Sequence, residues 1–403
     1  MGKKLHRKRR VVFKYILPPI AVILIVPMLQ KSVIQDVPFD KDVIRCVIAV
    51  NSGNSALKYG AGYNYELLKL FSGQMGLEEE IAFGGREYLD SLETGVVDLV
   101  VVPASDSLLK TKDLFCSIML ADSSVWVIRN GLEAEMRSIN TWLAHYFTTE
   151  GHRKALERFS PSFEPFRRSA SGRRYSILSP YDDLIAEYAA QIGWDRLMLT
   201  ALVWKESQFH IEVRSPRGAV GLMQLMPRTA GHFEAGNLID PEENISTAVK
   251  LIDRLQRMFR NDAADKEELM KFTLAAYNAG EGRLRDCISY AKSIGAPCSR
   301  WNDLVAIIPD MREDSILQSE SVKLGKFQGY ETINYISLME DYYDAFCVIA
   351  RGQSSPDPLA TRTDKGAAVT SLSRYGYAYF GLCLSGVGWL YGTLLRRRRF
   401  DTY

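Results

Sequence analysis

The chain changes its hydrophobic period once, and that change governs how it can be divided. Before about residue 166, short β-branched runs alternate with helical spacing; after it, only helical periodicity continues. Residues 46–50 form a β-branched run, and 62–76 place Leu67, Leu70 and Phe71 at i, i+3 and i+4. The 80–83 run follows, 86–93 is again helical, and 97–102 is almost continuously apolar. This alternation predicts an α/β domain with a parallel sheet and crossover helices, its strands buried on both faces. Residues 167–174 (RRSASGRR) are small and polar and read as a linker. A chain of 403 residues has room for two or three such units.

Charge is placed unevenly. The formal total is +2, yet Lys3, Lys4, Arg7, Lys8, Arg9, Arg10 and Lys14 crowd the first 14 residues, and Arg396 to Arg399 the last eight. Without these eleven, and without Asp401, 39 basic residues face 47 acidic ones, about −8. A basic body that binds nucleic acid is not expected. Each basic tip adjoins an apolar stretch. Residues 11–29 are interrupted by Lys14, Pro18, Pro19 and Pro27; no small-x-small cleavage site follows, so an uncleaved signal anchor is expected over a cleaved signal peptide. Residues 375–395 are uncharged and glycine-rich, with Gly388 and Gly392 in the spacing of close helix packing in lipid; a buried C-terminal helix is the alternative. The positive-inside rule puts both tips in the cytoplasm.

The cysteines (Cys46, Cys116, Cys287, Cys298, Cys347 and Cys383) and the five histidines show neither CxxC nor HExxH spacing. No metal site and no cofactor are expected. Cys46–Cys116 and Cys287–Cys298 bridges remain open beside free thiols.

The chemistry lies in the helical half. Across residues 194–209, Leu199, Leu202, Val203 and Glu206 fall at i, i+3, i+4 and i+7, so an apolar stripe ends in a carboxylate. A desolvated glutamate has a raised pKa and stays protonated near neutrality, as a general acid must. The same spacing also suits a helix-end glutamate that reaches water. No second acid is paired with Glu206, since Glu212 would face elsewhere on a continued helix.

Residues 206–230 (ESQFHIEVRSPRGAVGLMQLMPRTA), 240–255 (DPEENISTAVKLIDRL), 275–280 (AAYNAG) and 331–336 (ETINYI) resemble lysozyme-like lytic transglycosylases of the soluble type. The order CVIAV, GYNYELLKLFSGQMG, EIAFGGREYLDSLETG, VVDLVVVP is similar to a periplasmic solute-binding domain of the amino-acid-binding type, though 41–166 has room for one lobe only. Together they resemble the membrane-bound lytic transglycosylase F family. The resemblance implies a multidomain chain. Its parts are a cytoplasmic tip and anchor (1–30), a single-lobe α/β periplasmic-binding-like domain (41–166) and a linker (167–177). A mainly α lysozyme-like domain (178–350), a linker (351–374), a transmembrane helix (375–395) and a cytoplasmic tail (396–403) complete it.

The resemblance further implies Glu206 as the single catalytic acid/base. It implies Ser215, Met223, Gln224, Tyr277, Asn278, Glu331 and Tyr335 as substrate-binding groups. The plain alternatives are core packing for Met223, a helix cap for Ser215 and a buried hydrogen-bonded aromatic for Tyr277. Glu281 stands where the family often has proline. The implied reaction cleaves the MurNAc–GlcNAc bond of peptidoglycan with formation of a 1,6-anhydro end. A lysozyme-like muramidase and a non-catalytic peptidoglycan-binding scaffold are the alternatives. The expected setting is the bacterial inner membrane with the catalytic domain in the periplasm. Glycan strands and proteins of the cell-wall machinery are the expected partners, and nucleic acid is not.

Overall fold

The computed structural model describes residues 39, 41–50, 60–85, 87–159, 165–166 and 177–360. Both expected membrane spans, 11–29 and 375–395, the two basic tips and nearly all of the 167–177 linker lie outside the described residues. Among the described residues no helix is long and apolar enough to cross a membrane. The chain packs as two units: Met1–Phe163 with Ser207–Asn244, and Glu164–Glu206 with Ile245–Tyr403.

The first unit is built on five strands: β1 (Val43–Ala49), β2 (Glu78–Gly84), β3 (Leu99–Pro103), β4 (Leu114–Cys116) and β5 (Ser124–Arg129), in the order β2-β1-β3-β5-β4. β1 runs parallel to β2 and β3, as the alternation predicts, with Cys46 opposite Ile81 and Leu99. The crossovers are α1 (Gly60–Met75) and α2 (Tyr88–Glu93). The parallel pairing expected of residues 46–102 stops at β3. β5 pairs antiparallel with both β3 and β4. Between β3 and β4 the chain makes only a short 3-10 turn at Ser107–Lys110, and an antiparallel partner needs no helical crossover.

Both faces of the sheet are covered. Alternation along β5 sends Val125 and Val127 to a core shared with Val47, Val100, Val102, Leu89 and Leu92. It sends Trp126 to the opposite face, against Phe71 of α1 and Trp142 of α3 (Glu133–Tyr146). Trp142 stacks in turn on Tyr146, at 5.1 Å between centroids, and a fourth helix, α4 (Glu150–Phe159), follows. Of the α1 residues read as one stripe, Leu67 and Phe71 are buried, whereas Leu70 is exposed. A polar network ties α1 to the sheet: Asn64 donates to Asp122 (2.7 Å) and accepts from the Trp126 indole (3.1 Å). Cys46, Cys116, Cys287, Cys298 and Cys347 are free, so neither bridge left open by the sequence is formed.

Ser207–Asn244 packs in this first unit, which its sequence did not announce. Asp240 accepts hydrogen bonds from Tyr65 (2.9 Å) and Lys69 (2.5 Å), both on α1, and from the Glu243 amide (2.9 Å). Burial alone would push its carboxyl up; Lys69, the Glu243 amide and Tyr65 outweigh this and hold it below the ordinary aspartate value of 3.8. A depressed folded-state pKa stabilises the fold above the unfolded value and ceases to do so as pH falls through the folded one. Asp240→Asn is therefore expected to lower stability at pH 7, with the gap to wild type closing below about pH 4. Urea unfolding at a series of pH values reads this directly.

The second unit is helical: α5 (Asp182–Gln191), α6 (Arg196–Ser207), α7 (Pro241–Phe259), α8 (Lys266–Ala279), α9 (Glu281–Ser293), α10 (Trp301–Ile307) and α11 (Tyr330–Ala350). The last residue of α6 and the first turn of α7 fall in the first unit's share of the chain. α8 packs against α9, α10 and α11. Phe166, at the end of the segment assigned to the α/β domain, packs here instead. Its ring lies 5.5 Å from Trp204, 5.9 Å from Tyr342 and 5.3 Å from Phe346. The helical unit thus begins before the polar linker rather than after it. Phe166→Ala is expected to cost about 3–5 kcal/mol in this unit, measurable as a lowered thermal midpoint.

Candidate active site

The apolar stripe read along α6 does what its period requires. Leu199, Leu202 and Val203 are fully buried, and the next position on that face is Glu206. Glu206 keeps some exposure, and its Oε1 accepts a 2.6 Å hydrogen bond from the Tyr335 hydroxyl on α11. Burial raises its pKa above the ordinary 4.5; the neighbouring Lys205 charge and the Tyr335 bond pull the other way and only moderate the rise. The carboxyl therefore carries its proton further toward neutral pH than a solvated glutamate.

Tyr277 on α8 belongs to the same group. Burial first, and then the Glu206 carboxylate, push its phenol well above the ordinary value. Tyr335 is raised for the same reasons and is 5% exposed. Both phenols stay protonated, and Tyr335 donates to Glu206. Asn278, the next residue of the AYNAG run, is exposed, and its Oδ1 accepts from Thr332 at 3.0 Å, tying α8 to the first turn of α11. Gly280 ends α8 at φ +91°, a conformation that favours glycine, and α9 starts at once. Glu281, the departure from the family pattern, is paired with Arg254 of α7, so its charge is compensated. Glu331 lies exposed in the first turn of α11, where a negative charge suits the helix dipole, and no contact joins it to Glu206 among the described residues.

The first unit holds the remaining predicted residues. Glu212 follows the end of α6 and meets His210 at 3.3 Å, rather than continuing the helix. Ser215 closes a turn: its Oγ accepts from the Ala219 amide at 3.0 Å, and Gly218 completes the turn at φ +88°. It thus caps a loop and not a helix. Gln224 sits at φ +48° and donates its amide to the Val213 and Gly221 carbonyls at 3.1 and 2.9 Å. Met223 is 0% exposed, so the core alternative describes its side chain, and the expected cleft-lining role is corrected on that ground. Among the described residues no three His, Cys, Asp or Glu side chains are grouped as a metal site would require.

Asn244 escaped the sequence reading. It is buried, accepts from the Met223 amide (2.8 Å), and donates to the Val220 and Leu238 carbonyls (3.0 and 2.8 Å). One side chain thus holds three backbone groups of the Gly-Leu-Met-Gln loop and its neighbour. Its signal was the DPEEN run that opens α7, whose aspartate and asparagine are typical turn and capping residues. The clamp leaves no room at Gly221: a Cβ there would lie 2.4 Å from the Leu238 carbonyl and 2.5 Å from the Asn244 amide, at φ +78°. Gly221→Ala is expected to cost more than about 2 kcal/mol, read by denaturant unfolding, because clash and φ strain act together.

Residues 183–296 match the Transglycosylase SLT domain family. The chain is 28% identical over 223 residues to the membrane-bound lytic murein transglycosylase F of Desulfosudis oleivorans, covering 54% of this chain and 48% of that protein. It is 33% identical over 170 residues to the protein of that name from Shewanella loihica, covering 42% and 34%. The chain thus spans half or less of these relatives. The 70 kDa soluble lytic transglycosylase of Escherichia coli is a solved neighbour at 26% identity and TM-score 0.31, over 55% of this chain and 34% of that one. The family match contains Glu206, Tyr277 and Asn278, and through it the chain resembles the membrane-bound lytic murein transglycosylase F proteins.

Proposed function

We propose that this chain is a peptidoglycan lytic transglycosylase in which Glu206 is the only acid/base. The observation that carries the reading is the Glu206 carboxyl, which lies within the SLT match, is desolvated on α6 and accepts a hydrogen bond from Tyr335. Protonated Glu206 gives its proton to the oxygen linking N-acetylmuramic acid to N-acetylglucosamine, and the C1–O bond breaks. The muramyl C6 hydroxyl then bonds to C1, and ionised Glu206 takes its proton back. The product carries a 1,6-anhydro ring, water is not consumed, and Glu206 ends as it began. Most glycosidases divide this work between two carboxylates; here one residue serves in succession.

Tyr335 and Tyr277 supply the fixed dipoles that steady each charge state of Glu206. Ser215, Gln224, Asn278 and Glu331 are the groups proposed to meet the glycan. The relatives are named membrane-bound, which supports an enzyme anchored at the inner membrane and facing the periplasm, near the proteins that build the wall.

Digestion of purified sacculi followed by mass spectrometry of the muropeptides tests the reading. Anhydro products are expected, with Glu206→Gln reducing their release by at least about a hundredfold. Reducing ends in their place would make the enzyme a muramidase. Binding to sacculi without release would make it a scaffold.

A further inference from the structure

Among the described residues of the helical unit, one cation that the mechanism above leaves idle lies over the ring that holds the acid. Lys205 precedes Glu206 on α6, and its Nζ stands 5.2 Å from the centroid of the Tyr335 ring. The ring beneath it is the one whose hydroxyl reaches Glu206 at 2.6 Å. An ammonium over an aromatic face is drawn by the ring quadrupole, and more strongly where the ring is desolvated. Tyr335 is such a ring. The contact does two things at once: it fixes the tilt of the phenol, and it draws electron density from it, which strengthens the O–H as a donor. The same charge, one residue along the chain, favours ionised Glu206 directly.

Three titratable groups act on the Glu206 carboxyl within this unit: Lys205 on α6, Tyr335 on α11 and Tyr277 on α8. Of the three, Lys205 alone is positive. A lone acid/base must both release its proton and retrieve one. Burial makes release harder, and a nearby cation is the natural counterweight. We infer that Lys205 is a positioning residue that pins Tyr335 against Glu206 and sets the pH at which the acid gives up its proton. Lys205 itself need not touch the glycan. The inference rests on the proposed reading of Glu206 as the acid.

The test uses the full chain with Lys205→Met and Lys205→Arg. In a sacculus-release assay, the alkaline limb of kcat/KM marks Glu206 losing its proton. The limb is expected about half a pH unit higher in Lys205→Met, with the wild-type profile restored in Lys205→Arg. A limb that stays in place, or a loss of equal size at every pH that arginine does not rescue, overturns the inference. The carboxyl can also be followed without turnover, by carbon-13 NMR of glutamate-labelled protein, with Glu206→Gln assigning the resonance. A midpoint that rises in Lys205→Met supports the inference, and an unmoved midpoint refutes it. Wild-type protein that releases nothing from sacculi would instead refute the functional reading, while the titration still decides the role of Lys205.

Discussion

A carboxyl group withdrawn from water must be met by donors, and the end of the helical unit that carries Glu206 is arranged around that need. Glu206 ends a stripe whose preceding residues, Leu199, Leu202 and Val203, are fully buried. Its shelter therefore comes from the same helix that carries it. Tyr335 arrives from α11 with a short hydrogen bond, and Tyr277 from α8 with a phenol that burial keeps protonated. The Asn278–Thr332 bond holds those two helices in step. Loss of that register would leave a desolvated carboxyl without its donor, among the costlier defects a fold can carry. The apolar packing of α6, α8 and α11 and the protonation state of Glu206 are thus one property.

The loop after α6 follows a different rule. It has little regular structure, so its backbone groups need side chains as partners. Ser215 closes one turn, Gln224 reaches two carbonyls, and Asn244 holds three groups at once. Polar residues that family resemblance reads as ligands for sugar are here partly engaged in holding their own loop. The two roles are compatible, because an amide that fixes the loop also fixes whatever the loop presents.

Periodicity made the helical half legible. The stripe on α6 located Glu206; the AYNAG run was read as a family motif alone, and the structure adds that its glycine ends α8. What stayed hidden was long in range. Asp240 finds Tyr65 and Lys69 at separations of 175 and 171 residues, and no local pattern couples them. Phe166 was assigned to the wrong side of a polar linker, because an aromatic near a boundary has no period to declare its core. The antiparallel half of the sheet was missed for a related reason. The apolar run in Ser124–Arg129 has the composition of a strand, but strand direction depends on the connection and not on composition. Met223, for which substrate binding and core packing were both open, is buried.

The first unit is discontinuous in sequence, and this bears on how the chain is made. Its sheet is complete by Arg129, but Asp240, the partner of Tyr65 and Lys69, is synthesised more than a hundred residues later. During synthesis α1 must wait with Tyr65 and Lys69 unanswered while Glu164–Glu206, part of the other unit, emerges first. Contacts of such separation are slow to form because the intervening loop must close before they reward it. The sheet and the helices on its faces can assemble early, and the segment that follows Glu206 is then added to a finished surface. Residues 207–244 are accordingly among the last parts of the first unit to acquire their shape.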